Sequence, residues 1–395
     1  MSKLDKLIKD VNVEWKTLGE VATIFGGLTG KSKADFENGN SKYVSYKNIF
    51  YNIEVDFEIL DNVTVLSNEN QHEVHYGDVL FTGSSEIAEE SGMSSSVTTR
   101  FNEKVYLNSF SFGLRFNSDV EIVPEFSKYL FRSHFMRKEI AKTASGVTRF
   151  NVSKERFRKL QIPIPPLEIQ QKIVAILDTF TELTAELTAE LTAELTARKK
   201  QYNYYREKLL TFDENKVEWK SLGEVTEVNT GQKPSVIFEK PKCFDYINAG
   251  TTRSGYCEIS NCQGDVVTTP SRGQGGIGFV GYQPNPFWLG PLCYIIKSLN
   301  QSILLNKFLF YYLQYDYNLI LGLKKEGGVP AVNKSDLIKV LIPIPSLKEQ
   351  ERIVSILDKF DTLTTSISEG LPKEIALRKQ QYEYYRNMLL TFPKP

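Results

Sequence analysis

Apolar residues in the middle of the chain recur at a helical spacing. From Leu177 to Leu195 the sequence is LDTFTELTAELTAELTAEL, with the unit Thr-Ala-Glu-Leu written three times from Thr184. A four-residue repeat returns to nearly the same face of an α-helix, so Leu183, Leu187, Leu191 and Leu195 form a stripe that drifts by about 40° per unit. Such a stripe needs an apolar partner. One lies 180 positions on, where Ile173, Ile176, Phe180, Leu183, Leu187, Leu191 and Leu195 map onto Ile353, Ile356, Phe360, Leu363, Ile367, Leu371 and Ile375. Every seam position stays apolar while the residues between them change. Beyond the seam, RKKQYNYYREKLLTF (Arg198 to Phe212) returns as RKQQYEYYRNMLLTF (Arg378 to Phe392). The chain is a duplicated unit, each copy ending in a long helix.

The two helices are predicted over Pro166–Phe212 and Ser346–Phe392, and 47 residues span roughly 70 Å if fully helical. Each follows an Ile-Pro-Ile-Pro corner, since proline is tolerated in a first helical turn but not in an interior. Ser346 and Glu349 read as a capping box in the second copy. Gly370 and Pro372 predict a kink or break there. The seam spacing of 3-4-3-4-4-4 is a stutter that locally unwinds a left-handed supercoil.

A second repeat opens each copy: EWKTLGEV (Glu14 to Val21) returns as EWKSLGEV (Glu218 to Val225), an offset of 204. The first globular segment is therefore 24 residues longer than the second, with a diverged interior between preserved edges. That pattern implies one scaffold with two specificities. Alternating apolar positions predict strands in Tyr43–Phe50, Asn62–Leu66, Tyr76–Ser85 and Val105–Phe116, followed by a helix over Pro124–Lys142. The second copy repeats the order in Tyr246–Gly250, Gly264–Thr269, Phe287–Leu299 and a helix over Leu305–Tyr315. SGVTRFNVS (from Ser145) then matches GGVPAVNKS (from Gly327), both passing a Gly-Val turn, an Asn and a Ser. The expected fold class is α+β: two globular domains joined by a pair of long antiparallel helices in a coiled coil, with an internal pseudo-twofold duplication. Its segments are 1–165, the helical 166–212, 213–345 and the helical 346–395. Lys3 to Val13 should dock beside the end of the carboxy-terminal helix.

Composition narrows the function. A chain of 395 residues with 41% hydrophobic content suits two or three domains. No apolar run approaches the roughly 18 residues of a membrane span, and MSKLDKLIKD is too polar for a signal peptide, so a cytoplasmic protein with no membrane association is expected. Four cysteines, Cys243, Cys257, Cys262 and Cys293, lack zinc-knuckle spacing and read as reduced thiols. With 48 basic and 48 acidic residues the chain is no general polycation. Any nucleic-acid face must be local.

The arrangement of variable segment, IPIPPLEIQQKIVAILD, long helix, variable segment, IPIPSLKEQERIVSILD and long helix resembles the specificity subunit of type I restriction-modification systems. The resemblance covers essentially the whole chain, and the duplicated Ile-Pro-Ile-Pro segments, the RK-x-QY-x-YYR ends and the Thr-Ala-Glu-Leu repeats are its most specific parts. It implies that each globular unit is a target recognition domain reading half of a bipartite site in double-stranded DNA. The helices would space the domains and dock two methylation subunits, with restriction/translocase subunits joining outside. This chain would bind no cofactor and be non-catalytic, while its partners use S-adenosylmethionine, ATP and magnesium.

Several local signals carry competing readings. GGLTGKS (Gly26 to Ser32) lacks the first glycine of a phosphate-binding loop, where Phe25 stands. GQGGIG (Gly273 to Gly278) has no βαβ frame, and NPFW (Asn285 to Trp288) lacks the second proline of an adenine-methyltransferase motif and suits core packing. His72, His75 and His134 have no helical metal-binding pair. DNA-contact candidates are polar groups on turns and cations that neutralise phosphate. In the first domain they are Lys31, Ser32, Lys33, Lys47, Ser84, Ser85, Arg100, Thr148, Arg149 and Asn151. In the second they are Arg253, Arg272, Gln274, Lys324, Lys325, Asn333 and Lys334. Arg272 and Gln274 have the chemistry to reach guanine and adenine edges. The plainer reading of each is a solvated charge, a turn or a helix cap. Tyr202, Tyr205, Tyr382 and Tyr385 have the spacing of a helix-pair or subunit contact, read as a subunit interface. Two other classes remain open, a self-contained DNA methyltransferase or nuclease and a coiled-coil adaptor without DNA specificity.

Overall fold

The computed structural model describes residues 7–8, 11–37, 39–273, 275–325, 327–366 and 368–394. It divides into two compact units, one of Met1–Ala189 with Ala376–Pro395 and the other of Glu190–Ile375.

In the first unit Glu14–Thr17 pairs antiparallel with Gln161–Ile164, placing Trp15 opposite Pro163. The duplicated edges thus meet as one short ladder. Between them lies an antiparallel sheet in the order Ala22–Gly26, Ser111–Phe116, Val79–Thr82, Ser94–Ser96. A mixed sheet follows the order Asp61–Val63, Ser41–Val44, Val105–Leu107. The core centres on Phe81, whose ring lies 5.3 Å from Phe112, 5.2 Å from Phe131 and 4.9 Å from Phe157. The second unit repeats the plan with the ladder Glu218–Ser221 on Leu341–Ile344. Its sheets run Thr226–Thr230, Cys293–Ser298, Val266–Pro270, Gly281–Gln283 and Gly255–Cys257, Phe244–Ile247, Trp288–Leu289. Each unit is α+β.

The long helix spans Leu167–Leu210 without interruption. In the first unit Phe180 packs on Tyr385 at 5.5 Å and Thr181 Oγ1 lies 2.9 Å from the Tyr382 hydroxyl. Partner numbers fall as helix numbers rise, so the two helices are antiparallel. In the second unit Tyr202 and Tyr205 both stack on Phe360, at 5.9 and 5.7 Å. The tyrosines assigned to a subunit interface are therefore engaged inside the chain's own helix pairs, and the exposed members of each cluster are Tyr204 and Tyr384. The leucine stripe is also less buried than expected. Ile173 and Leu177 are fully buried, Leu183 and Leu187 are 48% and 40% exposed, and Leu191 and Leu195 are half-buried.

The break in the second copy is present. One helix ends at Thr365 and the next starts at Gly370, with Pro372 in its first turn. Gly370 has φ +77°, and a Cβ there would stand 2.5 Å from the Thr362 carbonyl oxygen. Ile367, a seam position, lies outside the described residues. Ser346 caps its helix by accepting from Glu349 N, but the Glu349 carboxylate pairs with Arg352 instead of closing the box. Complete capping boxes occur at Thr17–Glu20 and Ser221–Glu224, inside the repeated octapeptides.

Several expected elements are cut differently, among them Phe287–Leu299, which is the strands Trp288–Leu289 and Cys293–Ser298 in different sheets, and Tyr76–Ser85, which is Val79–Thr82 and Ser84–Ser85 in different sheets. Tyr43–Phe50 is strand only as part of Ser41–Val44, and Tyr46–Tyr51 is helix, anchored where Asn48 bonds the backbone of Asp56 through both its amide atoms. Val105–Phe116 is two strands in different sheets, split where Asn108 Oδ1 accepts from Phe110 N and Ser111 Oγ. Asn62–Leu66 keeps only the strand Asp61–Val63. The Pro124–Lys142 helix breaks at Ser133, whose Oγ donates to Leu130 O and accepts from Met136 N to start a second helix. At the amino terminus Ile8 is buried with Leu389, Leu390 and Phe392, and Trp15 Nε1 donates to Pro393 O at 3.0 Å. The expected docking holds for Leu7 and Ile8; residues 3–6, 9 and 10 lie outside the described ones.

Each globular segment is fastened to its helix by a buried glutamine. Gln170 is fully buried; its Oε1 accepts from Val123 N at 3.0 Å and its Nε2 donates to Glu121 O and Pro165 O at 2.9 and 2.8 Å. Gln350 repeats this with Leu305 N, Ile303 O and Pro345 O. One turn-pair further, the Tyr129 hydroxyl donates to Asp178 at 2.6 Å and the Tyr311 hydroxyl donates to Asp358. Leaving buried backbone groups unpaired costs about 1–3 kcal/mol each. Gln170→Leu is therefore expected to destabilise the first unit by about 3 kcal/mol or more, read as a drop in urea midpoint; a loss below about 1 kcal/mol would show that the clamp is dispensable.

Burial, reinforced by donation to an aspartate, raises both tyrosine hydroxyls above the ordinary value. An unfolded tyrosine ionises near pH 10 while these stay protonated in the fold, so their contribution is complete below about pH 10 and is lost as the pH climbs past it. Tyr311→Phe should accordingly flatten the fall in urea midpoint between about pH 10 and 12. An unchanged alkaline slope would assign that fall to other groups.

Candidate nucleic-acid interface

The first unit gathers turn residues onto one edge. Strand Val79–Thr82 runs through Gly83 into Ser84–Ser85, which pairs with Phe150–Val152; this strand in turn pairs with Ala144–Ser145. Glycine is required at 83, where a Cβ would stand 2.6 Å from the Phe110 carbonyl oxygen, and at 146, where φ is +151°. The resulting hairpin projects Val147, 92% exposed, together with Thr148 and Arg149. Arg149 Nε donates to Ser84 Oγ at 2.9 Å, its guanidinium lies 5.9 Å from the Phe110 ring, and the Tyr46 hydroxyl donates to Ser84 O at 2.9 Å. A concavity of about 480 Å³ opens beside this edge, with Lys47 and the rings of Phe50 and Tyr51 on its far wall. Tyr51 and Phe110 are 74% and 66% exposed. Exposed rings interleaved with Lys and Arg suit stacking and charge contacts with nucleic acid.

Ser84, Ser85, Thr148, Arg149 and Asn151 are thus brought together, with Lys47 across the concavity. Ser84 and Ser85 are themselves buried, Ser85 Oγ accepting from Ile87 N, so Ser84 positions Arg149 while Ser85 shapes the turn. The rings of Tyr46, Phe50, Tyr51 and Phe110 were not among the candidates, although the i, i+4 spacing of Tyr46 and Phe50 carried the signal. Lys31, Ser32 and Lys33 lie on a separate loop. Lys31 is no exposed phosphate clamp: its side chain is 3% exposed and its Nζ donates to Glu69 at 2.7 Å. Ser32 holds Asp35 at a short helix start, and Lys33 is exposed. Arg100 stacks 4.1 Å from the Tyr76 ring.

In the second unit Arg272 is exposed and opposite Ala331. Lys325 pairs with Asp336 at 2.7 Å, Lys334 donates to Asn229 at 3.3 Å, and Lys324 is half-buried. Arg253 lies apart, 4.2 Å from the Tyr256 ring and paired with Asp245. Gln274 lies outside the described residues. Asn333 is a helix-starting residue, the counterpart of Ser153 rather than of Asn151, because Val332 N bonds Ser271 O as Val152 N bonds Gly83 O. Backbone pairing overrides the motif match by two positions. Phe287 packs in the core, as its motif suggested. Burial pushes the Cys293 thiol up to about 12 and raises those of Cys257 and Cys262, which disfavours the thiolate form needed for nucleophilic attack.

A family model described as the type I restriction modification DNA specificity domain matches this chain twice, over residues 10–197 and 214–377. The chain belongs to that DNA specificity family. The specificity subunit of the Escherichia coli EcoR124I/EcoR124II restriction enzyme is 36% identical over 266 residues, 60% of this chain and 64% of that protein, so the match spans just under two thirds of that relative. A Haemophilus influenzae protein named as a type I restriction enzyme specificity subunit is 33% identical over 98% of both chains. Among solved structures, the HsdS subunit of Thermoanaerobacter tengcongensis has a TM-score of 0.60 at 19% identity, covering 97% of this chain and 96% of its own. A chain from a study of type I complex assembly and conformational transition has a TM-score of 0.66, also at 19% identity, covering 97% and 98%. These two share the fold. As a type I specificity subunit the chain functions in DNA recognition.

Lys47 is exposed and free of any ion pair among the described residues, as a phosphate contact would require. Lys47→Ala should leave the preferred sequence unchanged and reduce the slope of log affinity against log salt by roughly 0.9. An unaltered slope across a salt series would remove Lys47 from the interface.

Proposed function

We propose that the chain reads a bipartite site in double-stranded DNA, with segments 1–165 and 213–345 as target recognition domains that each contact one half. The helical segments 166–212 and 346–395 set the unread gap and dock two methylation subunits, and restriction/translocase subunits join that assembly. Methyl transfer and cleavage belong to those partners, which use S-adenosylmethionine, ATP and magnesium, and this cytoplasmic chain is non-catalytic. The observation that carries the reading is one scaffold present twice, constant at its ladders and glutamine clamps and different along the polar edge. A scaffold of that kind meets two different sequences with one mode of docking.

The repeats supply the test. Thr188 to Leu191 lies within the continuous helix Leu167–Leu210. One four-residue unit contributes about 6 Å of rise and about 40° of rotation, while a base pair contributes about 3.4 Å and roughly 35°. The rotations nearly match. Deleting Thr188–Leu191 should shorten the unread gap by about one base pair with both half-sites unchanged, as read by selection of bound duplexes, any surplus rise being taken up by DNA bending. Deleting two residues instead rotates the stripe by about 200° and should abolish assembly. A four-residue deletion that leaves the gap unaltered, or changes the bases read, would sink the spacer role.

A further inference from the structure

The duplication allows one position of the fold to be compared with itself. In the first unit Ser145 lies opposite Asn151, and Asn151 opposite Ser84, across three adjacent strands. In the second, Lys325 and Arg272 both lie opposite Ala331. The two rows are equivalent, because Val152 N donates to Gly83 O and Val332 N to Ser271 O, each at 2.9 Å. Directly opposed residues present their side chains on one face about 5 Å apart, so each row is about 10 Å wide. That fits the roughly 12 Å width of the DNA major groove.

At one end the two units reach the same chemistry by different routes. Ser84 is uncharged, but its Oγ holds Arg149 Nε at 2.9 Å, leaving both terminal guanidinium nitrogens unspent on it. In the second unit the turn residue at the place of Arg149 is Val329, and the guanidinium belongs to the ladder residue Arg272 itself. Neither arginine makes an ion pair among the described residues. The other end differs. Ser145 Oγ accepts from Arg156 at 3.0 Å, whereas Lys325 is neutralised by Asp336, which stands where the first unit has Arg156. A guanidinium without an ion pair is therefore the shared element, next to a central residue that changes from Asn151 to Ala331.

We propose that this row is the base-reading edge of both domains. The guanidinium of Arg149 or Arg272 takes the O6 and N7 acceptors of a guanine, and the central residue sets the neighbouring base. The Asn151 amide suits the N6 and N7 pattern of adenine; the Ala331 methyl suits the methyl of thymine. This rests on the DNA-reading function proposed above and assigns its specificity to two positions per domain.

The full chain, assembled with its methylation subunits, is used to select duplexes from a randomised pool. Each wild-type half-site is expected to contain a guanine, beside adenine in the first domain's half and beside thymine in the second's. Asn151→Ala should lose adenine preference by roughly tenfold, and Ala331→Asn should trade thymine for adenine, each without touching the other half-site. Arg149→Lys and Arg272→Lys should keep the salt slope while losing guanine preference, since an ammonium lacks the bidentate fork. Unchanged base preference in the Asn151 and Ala331 variants would overturn the inference, as would one variant degrading both half-sites, which marks a folding effect. A wild-type complex that enriches no sequence at any salt would instead refute the DNA-reading function itself.

Discussion

One fully buried glutamine amide per copy fastens each recognition fold to its helix. Gln170 and Gln350 each satisfy three backbone groups: one N–H in the loop before a helix, one carbonyl in that loop, and the carbonyl of the second proline in the Ile-Pro-Ile-Pro corner. Prolines at the corner remove backbone donors, and the tight turn into a helix leaves carbonyls without partners. A planar amide with two donors and an acceptor fills that need at one position. No apolar residue of the same volume does so without stranding polar groups in the core. The tyrosine–aspartate pairs at 129–178 and 311–358 then fix the rotation of the helix against the fold.

What was legible in the sequence follows from what repeats. The long helix, the edge ladder and the two-unit plan are written twice in the same residues, and the break in the second copy is written once, in Gly370 and Pro372. The misjudged elements are those where one polar side chain redirects the backbone. Asn48 turns an alternating run into helix, Asn108 splits one apolar stretch between two sheets, and Ser133 divides a helix whose amphipathic pattern runs on unbroken. These are local hydrogen bonds with partners up to eight residues distant, and a hydrophobic pattern does not encode them.

The candidate edge was partly legible for the same reason. Turn residues of type Ser, Thr, Arg and Asn in TGSS and GVTRFN pointed to one place, and the backbone pairing of Ser84 with Asn151 brings them there. Lys31 failed because its partner Glu69 lies 38 residues away, and an isolated lysine in a sequence shows nothing of what neutralises it. The match of Asn151 with Asn333 failed because resemblance between short motifs competes with ladder register. A two-residue slip costs little in sequence similarity and everything in hydrogen bonding, since each Val N–H must find the carbonyl of the strand beside it.

The pattern of change between the copies is itself physically ordered. Where polar side chains tie the fold to its helix, they are identical: Gln170 and Gln350 on backbone groups, and the pairs Tyr129–Asp178 and Tyr311–Asp358. Where side chains meet solvent on the hairpin ladder, substitutions come in compensating sets. Ser145 with Arg156 becomes Lys325 with Asp336, so a cation moves from helix to strand and acquires a counterion. Ser84 with Arg149 becomes Arg272 opposite Ala331, so a guanidinium moves from turn to strand and acquires none among the described residues. Surface ion pairs contribute little to stability, so folding alone does not require the second guanidinium to stay unpaired. An edge that keeps one guanidinium free of ion pairs among the described residues in both copies, while letting its source and its neighbour vary, is what the proposed base contact requires.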